Sequence, residues 1–305
     1  MKNSLALVFF ASVVLMSFNA CKQKDNKGNL IDTYNQGSIN FVADESLAPI
    51  LDQEFYVFKA LNKEAKPTML YKSENDALRL FLNDSVRVAF LARNLTAAEI
   101  DRFRQTKSLY PEIYLFAYDA ITMIVNQASA DTLTSVADIK QLLNGKIKTD
   151  KNIVFDNANS SLIRYLRSFS GNNQMNQKNI YALNTNIDVI KYVSEHPSAV
   201  GFISYSWLLE PDKSYAPMVD KIKIVGVKDE SNKDDPKRYF KPDQTTLVQG
   251  GYPLVRPLYI INNTGRPGLG TGVASFIMSE RGQRIVLRAG LMPDSIPTRE
   301  VSFGK

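Results

Sequence analysis

The stretch "YPLVRPLYIIN", residues 252–262, is an almost wholly apolar extended run near the end of the chain. A second run of this kind, "IYLFAYDAITMIVNQ", occupies residues 113–127. Long apolar runs of this kind suit strands that pass from one lobe of a protein into another. Two such crossings imply a first lobe built from both ends of the chain, at 38–116 and 250–305, and a second lobe at 117–249.

Strand-like and helical patterns alternate within both lobes. "SINFVAD" at 38–44 predicts a strand and residues 47–62 a helix, and the buried strand at 86–93 is followed by a capping box of Thr96 and Glu99. This order predicts an α/β fold of two doubly wound lobes, each a parallel sheet with helices on both faces, joined by two extended hinge crossings. Residues 270–290 predict one long terminal helix.

Size and charge limit the classes of function. The 305 residues are 44% hydrophobic, which is enough for a large core, and the length favours two lobes. The net charge of +6 is spread along the chain, and its densest patch, "KDESNKDDPKR" at 228–238, carries both signs. That patch is typical of a solvated loop and not of a nucleic-acid-binding face. A mildly basic balance suits an anionic ligand.

The N-terminal residues 1–20 predict a secretory signal, with Lys2 before an apolar stretch. The sole cysteine of the chain, Cys21, follows Asn19-Ala20 and resembles the lipidated cysteine of the bacterial lipoprotein lipobox. This resemblance implies a lipoprotein signal peptide, a lipidated Cys21 and a polar tether at 21–37. The protein would then be a periplasmic or cell-surface lipoprotein anchored to a bacterial membrane. An ordinary signal peptide followed by a lone cysteine is the alternative.

Four strand-to-helix junctions carry unusual polar residues, and ligands of open α/β sheets bind at such junctions. Free amides and the positive dipole end at a helix start can hold an anion, and Arg93 offers a planar fork of donors. The same residues have structural explanations: serine and asparagine cap helices, and an arginine can form a structural salt bridge. The junctions are "ADESLAP" with Ser46, "YKSENDAL" with Ser73, "FLARNLT" with Arg93, and "DNANSS" with Asn159, Ser160 and Ser161.

The order of these segments resembles a known family. "DESLAP" at 44–49, "KSEN" at 72–75, "AR" at 92–93, "ANSS" at 158–161, "HPSAVGFISYSW" at 196–207 and the return strand "YPLVRPLYIIN" carry the resemblance. They are similar to the phosphate-binding proteins of Pst-type ABC importers, which are type II periplasmic binding proteins, over residues 38–295. The phosphate-binding positions implied by this resemblance are Ser46, Leu47, Ser73, Arg93, Asn159, Ser160 and Ser161.

The chain also departs from the family pattern. Its junctions lack the family's glycines, and Ala92 stands where one branch has a serine. Better-known members use a carboxylate to accept the proton of phosphate; Glu45 and Asp156 are both candidates here, and either is equally suited to cap a helix. A related oxyanion or a lost binding function therefore remains an alternative to phosphate.

Catalysis has little support in the sequence. His196 is the sole histidine, no thiol remains beyond Cys21, and no nucleophile-elbow or P-loop string occurs. We therefore expect no enzyme, catalytic residue, metal site or cofactor. The prediction is a monomeric, lipid-anchored receptor that captures phosphate and delivers it to ABC permease subunits. A scaffold lipoprotein without transport, or a phosphate sensor, is the alternative.

Overall fold

The computed structural model describes residues 32–295. The predicted signal peptide at 1–20, Cys21, the first part of the tether and the last ten residues of the chain lie outside this range. Among the described residues, no helix has both the length and the apolar character needed to cross a membrane.

The first lobe begins with three strands, each followed by a helix. These elements are β1 (Gly37–Asp44), a 3-10 helix (Glu45–Leu47), α1 (Ala48–Leu61), β2 (Ala65–Lys72), α2 (Glu74–Leu82), β3 (Val88–Leu91) and α3 (Ala97–Lys107). The chain then leaves this lobe along the long strand β4 (Glu112–Asn126).

The second lobe and the return to the first follow. The second lobe contains β5 (Leu133–Ser135), α4 (Val136–Leu143), β6 (Asn152–Phe155), α5 (Ser161–Ser170), β7 (Ile180–Ala182), α6 (Asn186–Glu195), β8 (Ala199–Ser204), α7 (Ser206–Leu209), α8 (Ala216–Val219), β9 (Ile222–Ile224), β10 (Gly226–Lys228) and α9 (Gln244–Val248). The return consists of β11 (Val255–Asn262), α10 (Leu269–Met278), α11 (Glu280–Arg288) and β12 (Met292–Pro293).

One sheet runs through both lobes in the order β2-β1-β3-β11-β4-β8-β6-β7. The outer strands are parallel to their neighbours in each lobe, whereas β11 and β4 run antiparallel at its centre. The first part of β4 pairs with β11, and its later residues pair with β8. The two apolar runs at 113–127 and 252–262 therefore correspond to the strands that connect the lobes.

Helices cover both faces of the sheet. In β1, Phe41 packs into one apolar cluster with α1 and α10, whereas the next residue, Val42, packs into another with α2 and α3. In the second lobe, Val154 faces α6 and its neighbour Phe155 faces α4 and α5. Successive side chains of a strand point to opposite faces, so these strands are buried on both sides. The predicted fold class is confirmed; the lobe boundaries stay a prediction.

The predicted terminal helix is wrong in one respect. Ser279 has an extended backbone (φ −71°, ψ 163°) and divides the run into α10 and α11. Its side chain accepts a hydrogen bond from the Gly282 amide and so caps α11. An apolar periodicity that continues across a serine does not reveal such a break, because serine is acceptable both in a helix and as a cap.

The first described residues lie against α10. The Asp32 carboxylate accepts a hydrogen bond from the Leu269 amide at 2.7 Å and pairs with Arg266 at 2.9 Å. A Cβ at Gly272 would overlap the carbonyl of Tyr34, so only glycine allows this close approach. The N-terminal segment is thereby attached to the first lobe.

Candidate ligand-binding site between the lobes

A buried ion pair joins the two connecting strands. Arg256 of β11 lies directly opposite Asp119 of β4, and Arg256 Nε and Nη2 donate to Asp119 Oδ2 at 2.9 and 2.8 Å. Both side chains are 1% exposed. Burial opposes the charge of Arg256, but the nearby carboxylates, Asp119 first, hold the pKa of its guanidinium above the usual value. The Arg256 guanidinium is therefore charged between the lobes, and Asp119 compensates its charge.

Two serines from opposite lobes meet at this guanidinium. Arg256 Nη1 donates to Ser161 Oγ at 2.5 Å, and Arg256 Nη2 donates to Ser46 Oγ at 2.8 Å. The two hydroxyl oxygens are 3.3 Å apart. Ser46 lies in the 3-10 helix after β1, and Ser161 is the first residue of α5. We call Ser46, Ser161 and Arg256 the junction cluster.

Asp44, the last residue of β1, connects the two lobes at the same point. Its Oδ1 accepts from the Ser46 amide at 2.9 Å and, in a short bond, from the Ser46 hydroxyl. Its Oδ2 accepts from the Ser161 amide of the other lobe at 3.1 Å. Serine is a common cap, but the 3-10 helix that follows β1 is capped by Asp44 and not by Ser46, because the Asp44 carboxylate reaches the amide two residues later.

The sequence "DNANSS" forms the start of α5 as predicted. The Ser160 side chain accepts from the Ile163 amide and caps the helix, while its hydroxyl donates to Asp156 Oδ1 at 2.5 Å. This cap leaves the next residue, Ser161, with its amide and hydroxyl directed at the opposite lobe. The local turn thus serves as a helix cap and also orients donors toward the site.

Glu45 and Asp156 are close to this cluster and share Asn186 as a partner. Asn186 Nδ2 donates to Glu45 Oε2 at 2.7 Å and to Asp156 Oδ2 at 3.4 Å. Burial raises the pKa of Glu45 to about 7, although the bond from Asn186 lowers it. Burial and then the charge of Asp44 raise the pKa of Asp156 to about 7 as well. Both carboxyls can therefore hold or release a proton near neutral pH.

Arg93 and Ser73 have partners within the first lobe. Arg93 forms a bidentate pair with Glu99 at 2.6 and 2.9 Å, and each side chain is 18% exposed. The Ser73 hydroxyl caps α2 and donates to Asp76 at 2.8 Å. The guanidinium at the junction cluster belongs to Arg256, not to Arg93. A phosphate-binding role for Arg93 and Ser73 stays a prediction.

The other expected ligand residues lie in different places, one in a lobe core and two at the lobe interface. The Leu47 side chain belongs to the first-lobe core. Asn159 is exposed, and its carbonyl accepts from the Asn75 amide at 3.3 Å across the lobes. Ser160 and Asn159 line a surface pocket of about 410 Å³ together with Arg164. Ser160 of this pocket precedes Ser161 of the junction cluster in the chain.

A second bridge closes the lobes beside the first. Arg164 of α5 donates to both oxygens of Glu74, at 2.5 and 3.1 Å, and to the carbonyl of Ala92 at 2.9 Å. Glu74 also accepts from the Ala92 amide at 3.1 Å. The Glu74 side chain is only 2% exposed. The structure therefore shows the lobes in contact, with Arg164 and Glu74 paired across the interface.

Sequence reasoning missed Asp44, Asp119 and Arg256. A signal for the last two was present: each is the only charge inside its long apolar run, and the two charges are opposite. Buried charges require partners, so this pairing was predictable in principle. In the described part of the chain, no group of His, Cys, Asp and Glu side chains has the arrangement of a metal site.

Comparison with known proteins identifies the superfamily to which this fold belongs. A family model described as a PBP superfamily domain matches residues 31–281, and the chain belongs to this superfamily. A phosphate-binding protein PstS from Borreliella burgdorferi is 23% identical over 311 residues, which covers 96% of this chain and 99% of that protein. A PstS from Staphylococcus saprophyticus is 24% identical and covers 77% of this chain and 73% of the relative.

Solved structures share the fold. A protein from Clostridium perfringens, solved with bound phosphate, has a TM-score of 0.70 at 17% identity, and the match covers 85% of this chain and all of that one. An ABC-type phosphate transport receptor from Vibrio cholerae has a TM-score of 0.62 at 18% identity, with 84% and 100% coverage. The names of these relatives describe binding proteins and a transport receptor, in agreement with the prediction that the chain is not an enzyme.

Proposed function

We propose that this chain is a substrate-binding protein that captures phosphate between its lobes and delivers it to an ABC importer. The observation that carries the proposal is the junction cluster, in which serines from the two lobes meet at one buried guanidinium. The names of the relatives support phosphate as the ligand.

The cluster has the chemistry that a tetrahedral oxyanion requires. The amides of Ser46 and Ser161, their hydroxyls and the Arg256 guanidinium together offer donors from several directions. Burial strengthens each bond to an anion, because little water competes. Asp156 and Glu45, with pKa values of about 7, are the proposed acceptors for a proton on the ligand.

Delivery would follow from closure of the lobes. An anion held by donors of both lobes binds the closed form more tightly than the open form, so it shifts the population toward closure. Permease subunits of the importer would then recognise the closed surface.

We also propose that the receptor is monomeric and anchored through a lipidated Cys21. Replacement of Cys21 by serine should release the protein from the membrane fraction of cells; continued sedimentation with membranes would contradict the anchor.

Calorimetry on residues 22–305 tests the ligand. Titration with phosphate should give heat and micromolar or tighter binding, and sulfate, which carries no proton at neutral pH, should bind more weakly. Ser161→Ala should weaken phosphate binding by about tenfold, because it removes a donor to a charged ligand. Ser135→Ala is the matched control, because Ser135 caps α4 in the same lobe and contacts none of the cluster. Equal loss in both variants would contradict the assignment.

A scaffold without transport is the second candidate, and one observation favours it. Asp44 already accepts bonds from three of the donors that an anion would use. If phosphate, sulfate and arsenate all give no heat with a folded protein, the scaffold explanation replaces the receptor.

A further inference from the structure

The Asp44 carboxylate occupies the position at which the donors of the two lobes converge. One oxygen accepts from the Ser46 amide and hydroxyl, and the other accepts from the Ser161 amide 117 residues away in the chain. Asp44 is 1% exposed. A carboxylate and an oxyanion accept hydrogen bonds from the same kinds of groups, so this side chain makes the contacts of a bound anion.

The positive charge of Arg256 is also compensated by groups of the protein itself. Arg256 pairs with Asp119, and its Nη1 and Nη2 also donate to the Ser161 and Ser46 hydroxyls. The charge of Asp44 also acts on this guanidinium. The donors described at the junction cluster therefore have protein acceptors while the lobes are closed.

We propose that Asp44 is a built-in counter-anion, which holds the lobes closed in the absence of ligand and must be displaced when an external anion binds. The displacement half of this inference rests on the proposed function. Closure without ligand follows because the two oxygens of one rigid carboxylate bind groups of different lobes. A ligand then competes with an intramolecular acceptor, so Asp44 lowers the affinity of the site.

Interlobe distances test the closure without any ligand. Residues 22–305 contain every described element and no cysteine, so spin labels can be placed on exposed Tyr56→Cys of the first lobe and Tyr181→Cys of the second. Pulsed EPR should give one narrow distance for the unsubstituted site. Asp44→Ala should give a broader or displaced distribution, because it removes the bridge. Identical distributions would overturn the inference.

Two further variants keep this result interpretable. Asp44→Asn preserves the shape of the side chain but removes its charge, and it should shift the distances in the same direction. Asp138→Ala is the matched control. Asp138 lies in α4, away from the interface, and its side chain accepts from Ser135, the serine that caps this helix. Circular dichroism establishes that each variant is folded. If Asp138→Ala opens the lobes as much as the Asp44 variants, the inference is wrong.

Calorimetry with inorganic phosphate tests the displacement. Asp44→Ala should bind phosphate about tenfold or more tightly than the unsubstituted protein, since the competing charged hydrogen bonds are gone. Weaker or unchanged binding would overturn the displacement. No phosphate heat from either protein would refute the proposed function, whereas the distance measurement would still decide whether Asp44 holds the lobes together.

Discussion

Arg256 and Asp119 face each other across the two antiparallel strands that connect the lobes, and they form an ion pair that is almost completely buried. The same guanidinium contacts a serine of each lobe. One pair of residues thus links the hinge strands to the candidate site, so a change in either residue affects both stability and binding.

Loss of one partner of this pair should be strongly destabilising. Asp119→Ala leaves the Arg256 charge without its main partner in the interior, and breaking a buried pair costs about 3–5 kcal/mol of unfolding free energy. Denaturant unfolding measures this loss. The exposed pair Arg284–Glu280 provides the control: Glu280→Ala should cost about 0.5 kcal/mol or less. Similar losses in the two variants would contradict the importance of burial.

The Arg164–Glu74 bridge should contribute to stability to a smaller extent. Arg164→Ala leaves the buried Glu74 carboxylate without its interlobe partner, and we expect a loss of about 1–3 kcal/mol in unfolding free energy. Arg79→Ala removes a solvent-exposed pair with Asp76 and should change little. A null effect of Arg164→Ala in urea unfolding would mean that the lobes do not depend on this bridge.

Buried Glu54 predicts a pH-dependent loss of stability. Burial raises the pKa of Glu54 from 4.5 to about 9, and neither carboxyl oxygen has a hydrogen-bond partner. The folded state therefore holds the proton that the unfolded state loses. The contribution of Glu54 to the free energy of unfolding is complete below about pH 4.5. It is lost as the pH rises toward 9, by at most about 1.4 kcal/mol per pH unit. Glu54→Gln should flatten the profile between pH 7 and 9 in urea unfolding.

Asp156 predicts a second pH-dependent loss of stability, over a narrower pH range. Its pKa is raised from 3.8 to about 7, so its contribution to the free energy of unfolding is complete below about pH 4 and is lost as the pH rises through 7. Asp156→Asn should remove part of the slope between pH 4 and 7 and leave most of the slope toward pH 9 unchanged. If the slope above pH 7 disappears instead, Asp156 is not the titrating group.

Local features of the fold were predictable from the sequence. The caps at Ser73, the Thr96–Glu99 box and Ser160 all form, because a cap depends on residues only two or three positions apart. The two connecting strands were also visible as long apolar runs. The break at Ser279 was not, since packing against the rest of the lobe decides between one helix and two.

The candidate site was only partly predictable. Its strand-to-helix junctions at Ser46 and Ser161 do meet, as expected from the sheet topology. The sequence predicts Arg93 as the guanidinium of the site; Arg93 pairs with Glu99 six residues later, and its role in binding stays a prediction. The pairing of Arg256 with Asp119 depends on the register of two strands more than a hundred residues apart, and residue type alone does not specify that register.

The attachment of Asp32 and Tyr34 to α10 determines which half of the molecule any membrane tether would restrain. The twelve residues from Cys21 to Asp32 are joined by eleven Cα-to-Cα steps, which span at most about 40 Å when fully extended. A lipid at Cys21 would thus keep α10 and the first lobe within this distance of the bilayer and leave the second lobe free to move. When the lobes open, the second lobe would then move away from a first lobe that stays near the membrane.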